Sequence, residues 1–201
     1  MKIFSILVFN KDQSSEQAQL LKGASDLSSF SFFNRSSIQD FMNFTGKLLV
    51  ERSGLGSRTS VSEQQYWLHV YVRADGLAGV CVTDQEYLQR VAFTMLTKVL
   101  DDFATKVSSS QWATIKNEKD CTYDGLPAFL QKWQNPSEAD PMARVQEQVE
   151  ETKIVMHETI QAVLDRGEKL DDLVKKSETL SDQSKLFYTQ ARKMNKCCNY
   201  V

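Results

Sequence analysis

Hydrophobic and polar positions follow two different regimes along this chain of 201 residues. Up to about residue 135 the spacing of apolar positions keeps changing, whereas beyond Pro141 a single spacing continues almost to the end. A polar stretch at residues 137–140, bracketed by Pro136 and Pro141, separates the two parts. Because prolines and short polar runs mark element boundaries, we predict a folded domain at residues 1–135, a hinge at 136–141, a long helix at 142–196 and a tail at 197–201.

The N-terminal part has the pattern of an α+β domain. A near-continuous apolar run predicts a buried strand at residues 2–9, and alternation around Asp75-Gly76 predicts a hairpin of residues 65–73 and 77–83. Further strands are predicted at residues 17–23 and 58–62, and helices at 35–52, 87–107 and 124–133. Elements in this order predict a five-stranded antiparallel sheet flanked by helices.

The C-terminal segment carries a repeat of 3.5 residues. We call its sixteen repeat positions, reached by alternate steps of three and four residues, the seam. Eleven seam residues are apolar, four are Thr or Ser and one is Arg166, while the flanking positions are mostly Glu, Asp, Lys and Gln. A repeat sustained over this length predicts a coiled-coil strand. The seam consists of Met142, Val145, Val149, Thr152, Met156, Thr159, Val163, Arg166, Leu170, Leu173, Ser177, Leu180, Ser184, Phe187, Ala191 and Met194.

One alternative is a long surface helix that folds back onto its own domain and has no other role. At ~1.5 Å per residue such a helix would be about 80 Å long. A domain of this size is only about half as wide, so most of the seam needs partners on other chains.

Charge and composition exclude several functions. The net charge is −2 and no basic block precedes the heptads, so nucleic acid is not an expected partner. The apolar runs are shorter than the roughly 18 residues of a membrane-spanning helix, and no Gly-x-x-x-x-Gly-Lys-Ser/Thr loop is present. The charge balance is −4 over residues 142–182 and +4 over residues 183–196, so the basic end suits a membrane surface.

Arg166 interrupts the seam near its middle. An unpaired charge buried at such a position is strongly destabilising. Either the guanidinium reaches solvent along its own stem, or partner helices supply polar acceptors in the same layer and the arginine fixes their register. The sequence of residues 163–173 favours the second possibility.

The segment centred on Arg166 resembles the SNARE motif of arginine-type SNAREs (R-SNAREs), and the sixteen seam positions match the layers of that motif. Residues 1–135 resemble a longin domain, which is profilin-like, with Ser-Ser-Phe-Ser-Phe-Phe-Asn-Arg-Ser-Ser at residues 28–37 as a typical stretch. Together with a terminal Cys-Cys and no membrane span, the chain resembles the prenylated longin R-SNAREs over essentially its whole length.

This resemblance implies a function in membrane fusion. Arg166 would face three glutamines from three Q-type SNARE helices in a parallel four-helix bundle that draws two membranes together. The expected transport steps lie among the ER, the Golgi and endosomal or vacuolar compartments. The protein would be cytoplasmic and would cycle to the cytosolic face of Golgi, ER-derived vesicle and endosomal membranes through a lipid. Catalytic residues, metals and non-covalent cofactors are not expected.

The C-terminus supports lipid attachment independently. Cys198 is four residues from the end, in the frame of a C-a-a-X prenylation box. Asn199 and Tyr200 are not aliphatic and Val201 selects neither lipid clearly, so farnesyl and geranylgeranyl both stay open, as do unmodified cysteines. Because one lipid chain binds a membrane only marginally, Cys197 is the natural site of a second, which by resemblance is palmitoyl or another prenyl.

The predicted helix at residues 35–52 contains a candidate groove. At ~100° per residue, Phe44 falls about 90° from the centre of the buried face, which lies near Phe41 and Thr45. Phe44 either packs sideways in the core or lies in an exposed groove. We expect a longin groove of Phe41, Phe44 and Leu48 that shelters the folded-back SNARE segment, the lipid, or both.

An enzyme is the main alternative from another class. A cysteine nucleophile needs a base, and His69 is predicted in a strand near Cys81, although core packing is the simpler interpretation of both. Resemblance also leaves longin-mediated palmitoyl transfer open, and a lipidated trafficking adaptor is a further alternative.

Overall fold

The computed structural model describes residues 1–136 and 153–197, with side chains up to Lys193. The strands are β1 (Ile3–Lys11), β2 (Ala18–Ser25), β3 (Arg58–Glu63), β4 (Tyr66–Val72), β5 (Leu77–Asp84) and β6 (Ile154–His157). The helices are α1 (Arg35–Arg52), α2 (Gln89–Lys106), α3 (Ser109–Trp112), α4 (Leu126–Trp133), α5 (Leu170–Lys176) and α6 (Asp182–Cys197), with 3₁₀ turns at Phe32–Asn34, Glu118–Asp120 and Ile160–Val163. Every strand and helix predicted within residues 1–135 forms, and its ends lie within two residues of the predicted ones.

The sheet has the strand order β2-β1-β5-β4-β3-β6. The first five strands are antiparallel, as predicted. The sixth strand was not predicted: β6 pairs in parallel with the edge strand β3, with Ile154 opposite Arg58 and His157 opposite Val61. The C-terminal segment therefore completes the sheet of the N-terminal domain and makes it mixed rather than purely antiparallel.

Both faces of the sheet are covered. Along β1, Ile6 and Val8 pack on one face with α2 and α4, while Leu7 and Phe9 pack on the other. This alternation explains why β1 is a near-continuous apolar run, since a strand buried on both faces has no solvent side. The second face is covered by α1 together with the C-terminal segment, which therefore shares a core with α1.

The β4–β5 hairpin turns at Gly76, whose φ of +90° lies in the region that favours glycine. A Cβ atom at this position would also lie 2.6 Å from the carbonyl oxygen of Lys11. The Asp75-Gly76 signal in the sequence therefore reflects two constraints, the turn itself and the close approach of β1.

The predicted continuous helix of residues 142–196 is interrupted in the structure: in its described part only α5 and α6 are α-helical. Residues 153–197 form β6, the turn at Ile160–Val163, α5 and α6, folded against α1 and β3. A lone helix would leave the apolar seam in water, whereas folding back buries part of it and pairs the backbone with an open sheet edge. Residues 142–152 lie outside the described residues.

A buried polar network links β3, β4, β5 and α2. Nδ1 of His69 lies 2.8 Å from Oγ of Ser60, and its Nε2 lies 3.4 Å from the hydroxyl of Thr83. Gln89 donates to Ser60 Oγ at 2.7 Å. The imidazole also contacts the rings of Trp67 and Phe93. Little water reaches the imidazole to stabilise its protonated, charged form. Burial therefore lowers the pKa of His69 from 6.5 to about 4.

The depressed pKa predicts an acid-sensitive fold. Below pH 6.5 His69 is protonated in the unfolded chain but stays neutral in the folded chain. Protonation therefore favours the unfolded chain, and stability is lost as the pH falls toward 4. Between pH 7 and pH 5 we expect the free energy of unfolding to drop by about 2 kcal/mol more in the parent than in His69→Gln. Chemical denaturation at both pH values measures this difference, and equal drops in the two proteins would contradict it.

Candidate functional site

The second face of α1 contacts the C-terminal segment. Phe41 and Phe44 are half-buried with ring centroids 6.4 Å apart, and Leu48 is buried. Phe41 stacks on Tyr188 of α6, with centroids 5.2 Å apart and an angle of 25° between the ring planes. Phe44 packs at the edge of the same hydrophobic cluster. The structure therefore brings the predicted groove residues together under the folded-back segment.

Seam residues occur in three environments. The buried ones are Leu170, Leu180 and Ser184. The half-buried ones are Val163, Leu173, Ser177, Phe187 and Ala191. The exposed ones are Met156, Thr159 and Arg166. Met142, Val145, Val149 and Thr152 lie outside the described residues, as does the side chain of Met194.

Arg166 lies in a turn between the 3₁₀ turn at Ile160–Val163 and α5, with its side chain exposed. The next residue, Gly167, has a φ of +95°, which glycine adopts without the steric cost that a Cβ atom brings. In a continuous helix the same residue would need a φ near −60°. A turn therefore interrupts the predicted helix at its centre, and the guanidinium stays in water.

Arg52 at the end of α1 holds the two acidic residues that flank this turn. Its Nη2 donates to both carboxylate oxygens of Glu168, at 2.8 and 3.0 Å, and its Nε lies 3.5 Å from Oδ2 of Asp165. The hydrogen bond from Arg52 lowers the pKa of Glu168. The same carboxylate accepts from the backbone N–H of Asp165 at 3.1 Å, so it closes the turn around Arg166 as well as pairing with α1.

Two further polar contacts hold α6. Oδ2 of Asp40 on α1 accepts from the hydroxyl of the buried seam residue Ser184 at 2.8 Å. Oδ1 of Asp171 accepts from the hydroxyl of Tyr188 at 2.8 Å and also pairs with Arg192. In one continuous helix Asp171 and Tyr188 would be about 25 Å apart along the axis, so this bond belongs only to the folded-back arrangement.

Sequence reasoning missed several residues of this contact. Ile160 and Val174 are buried and Tyr188 is half-buried, yet none of them is a seam position. Each directly follows a seam residue, so an apolar stripe drawn one residue wider would have included them. Arg52 and Asp40 carry no such signal, because their partners lie more than a hundred residues away in the sequence.

Two of the four cysteine residues, Cys81 and Cys121, are buried with free thiols, and the other two are the C-terminal pair. Cys197 is the last residue of α6 and its side chain is not described, and Cys198 lies outside the described residues. Cys81 sits opposite His69 in the β4–β5 ladder, and both are buried. Burial raises the pKa of the Cys81 thiol and lowers that of His69, so neither the thiolate nor the imidazolium is favoured. Cys81 and His69 therefore belong to the core. A nucleophilic cysteine needs a lowered thiol pKa, and here the thiol pKa is raised.

Comparisons with known proteins agree with this architecture. Residues 27–124 match the Longin family model, described as a Regulated-SNARE-like domain, and residues 141–199 match the Synaptobrevin model. Synaptobrevin homolog ykt6 of Schizosaccharomyces pombe is 48% identical over 198 residues, which is 98% of each chain. The synaptobrevin homologs YKT6 of Eremothecium gossypii and Saccharomyces cerevisiae are 47% and 45% identical over 199 residues, again 98% of each chain. The chain belongs to the longin-domain R-SNARE family.

As a longin R-SNARE, the chain acts in vesicle trafficking and interacts with other SNARE helices. The Longin match includes α1, β3–β5, α2 and α3, and the Synaptobrevin match includes β6, α5 and α6. We use the term longin domain for β1–β5 with α1–α4, and SNARE motif for the segment that supplies β6, α5 and α6. None of the helices in the described parts of the chain is long and apolar enough to cross a bilayer.

The contact between Arg52 and Glu168 predicts how firmly the SNARE motif is held. Arg52→Glu places a third carboxylate beside Asp165 and Glu168, and we expect severalfold faster amide exchange across α5 because this part of the motif detaches more often. Hydrogen exchange followed by mass spectrometry measures this effect.

Arg73→Glu is a matched control, because Arg73 is as exposed as Arg52 (25% against 26%) and pairs with Asp75 and Asp101 within the longin domain. Adding Glu168→Arg to Arg52→Glu should restore slow exchange. Equal exchange across α5 in the Arg52 and Arg73 variants would show that this ion pair does not hold the motif.

Proposed function

We propose that this R-SNARE drives fusion of transport vesicles in ER–Golgi, Golgi and endosomal or vacuolar traffic by zippering with three Q-type SNARE helices. Before assembly, the longin domain covers part of the SNARE motif and inhibits it. A prenyl group on Cys198 and a second lipid on Cys197 attach the chain to the cytosolic face of the membrane. Zippering from Met142 toward Met194 then pulls this lipid-bearing end toward the partner membrane.

One observation carries the inhibitory part of this proposal. Leu170, Leu180 and Ser184, which a bundle would need in its interior, are buried against the longin domain. A side chain cannot occupy both places, so longin binding and bundle assembly compete for the same residues. Partner helices must therefore displace the longin domain before these layers close.

The same competition sets the direction of the reaction. Each aliphatic side chain moved from water into a core contributes ~1.5–3 kcal/mol. The folded-back form buries only some of the seam, whereas a complete bundle would bury all eleven apolar seam residues. Three partner helices together can thus bury more of the seam than the longin domain does. In their absence the motif binds the longin domain.

The charge of Arg166 supports the proposed assembly with Q-type SNARE helices. Its exposure in the turn means that the guanidinium of Arg166 stays hydrated in the folded-back form. In the bundle the arginine would face three glutamine side chains, whose oxygens accept hydrogen bonds and set the register. A partner set without such acceptors would leave a buried charge unpaired, which disfavours it strongly.

Lipid attachment rests on the C-terminal sequence. Cys198 has the frame of a prenylation box, and Cys197 is available for palmitoylation or a second prenyl. One chain gives marginal membrane affinity, and the basic residues Lys193 and Lys196 add attraction to the anionic cytosolic leaflet. This combination supports a protein that exchanges between cytoplasm and membrane.

Assembly in solution tests the fusion proposal. When the full chain is mixed with three Q-type SNARE helices, we expect helical circular dichroism to rise, because β6 and the turns of the motif convert to helix. Phe44→Glu should speed this rise several-fold, since it places a charge in the groove that covers the motif. Phe32→Glu is the matched control, because Phe32 is exposed and lies outside the groove. No gain of helix with any Q-type set would exclude the assembly, and equal rates for the two variants would exclude inhibition through this groove.

Mass spectrometry of the C-terminal peptide from cells tests the lipids. We expect a farnesyl or geranylgeranyl thioether on Cys198 after removal of Asn199, Tyr200 and Val201. On Cys197 we expect either a hydroxylamine-labile acyl group or a stable second prenyl. Cys198→Ser should abolish prenylation and shift the protein from membranes to the soluble fraction. An unmodified Cys197-Cys198 pair in membrane-bound protein would refute this part of the proposal.

A further inference from the structure

Two adjacent aromatic side chains project from the longin domain. Phe32 and Phe33, on the 3₁₀ turn before α1, are 78% and 82% exposed. Their rings meet edge to face with centroids 6.0 Å apart. Neither belongs to the hydrophobic clusters of the domain or to the surface that covers the SNARE motif. We call residues 27–34 the aromatic tip.

The aromatic tip is held in place by the residues around it. Asp26 accepts hydrogen bonds from the backbone N–H and the hydroxyl of Ser28, at 3.0 and 2.6 Å. Phe30 packs inward against Phe4 and Tyr66. Arg35 donates from Nε to the carbonyl of Phe30 and from Nη2 to that of Ser28, both at 3.1 Å. The two exposed rings are therefore presented by an ordered loop, which lowers the entropy cost of binding.

The same contacts lower the cost of removing the tip from water. The N–H of Phe30 donates to the carbonyl of Leu27 at 3.0 Å, and the N–H of Asn34 donates to that of Ser31 at 2.9 Å. With the two carbonyls bound by Arg35, much of the loop backbone is already hydrogen-bonded. Unsatisfied backbone groups are the main obstacle to placing an irregular loop in a bilayer interface, and these hydrogen bonds reduce their number.

The charge of the tip also fits an anionic surface. Arg35 is the only charged residue between Leu27 and Gln39, and its guanidinium lies 6.0 Å from the centre of the Phe32 ring. The remaining polar residues of this stretch are uncharged: serines, one asparagine and Gln39. A cation beside two exposed aromatic rings is the combination that interfacial membrane-binding segments use.

We propose that the aromatic tip is a second membrane contact, which inserts Phe32 and Phe33 into the interfacial layer of an anionic bilayer. This inference rests on the proposed lipid anchor, which brings the longin domain close to a membrane that the tip can then contact. A bilayer fits the observations because two adjacent exposed aromatic rings with a cation beside them suit the interfacial layer of an anionic membrane. The tip is exposed while the longin domain covers the motif, so it can contact the membrane before the SNARE motif is released.

Fluorescence of the unlipidated full chain tests insertion directly. In Phe33→Trp, vesicles of phosphatidylcholine and phosphatidylserine should shift the added emission to the blue, and lipids brominated on their acyl chains should quench it. The parent, with Trp67, Trp112 and Trp133, supplies the background. An added tryptophan that keeps its water-exposed emission at saturating anionic vesicles overturns the proposal.

Co-sedimentation with the same vesicles measures how much membrane binding is lost when the two rings are removed. The double variant Phe32→Ser/Phe33→Ser should bind roughly tenfold more weakly than the parent, since it removes both inserted rings. Leu88→Ser is the matched control, because Leu88 is also a largely exposed apolar residue (61%) of the longin domain, and its binding should not change. Both variants alter exposed side chains, so the fold should persist in circular dichroism.

Further outcomes separate this inference from the proposed function. Unchanged vesicle binding with impaired binding of a protein partner would identify the tip as a protein-docking site and overturn the membrane proposal. Because the chain carries no lipid here, tip insertion can succeed even if Cys198 is never prenylated. Bundle assembly measured on the same preparation reports on the SNARE function alone, so failure of insertion with normal assembly overturns only this inference.

Discussion

The apolar residues of the seam must be buried against another surface, and much of this structure depends on that requirement. A helix with an apolar stripe of this length is stable only when another surface buries the stripe. In the folded-back form the cover is the second face of the longin sheet together with α1, which shares one hydrophobic cluster with Leu170, Val174 and Leu180. The longin domain gains at the same time, because β6 pairs with the β3 edge that would otherwise be open.

The longin domain was predictable because its signals are local. The hairpin at Asp75-Gly76 follows from turn chemistry, and α1 follows from an apolar face that repeats at the helical period. β6 was not predictable in this way. Ile154 and Val155 are β-branched and favour strands, but they stand within a heptad pattern that a helix satisfies equally well. The free edge of β3 decides between the two, and that edge exists only once the tertiary structure has formed.

The candidate site likewise contains residues with a local sequence signal and residues whose contacts depend on the tertiary structure. Leu170, Leu180 and Phe41 follow from apolar periodicity, because any surface that covers a stripe must contact its centre. Ile160 and Val174 become buried because the longin surface is broader than the seam of a coiled coil. The polar contacts of Arg52 and Asp40 depend on how two distant segments dock, and no pattern near either residue encodes that geometry.

The centre of the motif shows how one sequence can serve two arrangements. Gly167 is a poor residue for a long helix, costing about 1 kcal/mol relative to alanine, yet it allows the positive φ of the turn without strain. Arg166 beside it keeps its charge hydrated at this turn, so the folded-back form avoids the cost of burying this guanidinium. In the proposed bundle both residues would become helical and the arginine would be desolvated. The apolar seam residues gain from any cover, so they discriminate little between the longin domain and a wrong partner. Arg166 discriminates strongly, because only partners with acceptors in its layer compensate for the water it loses.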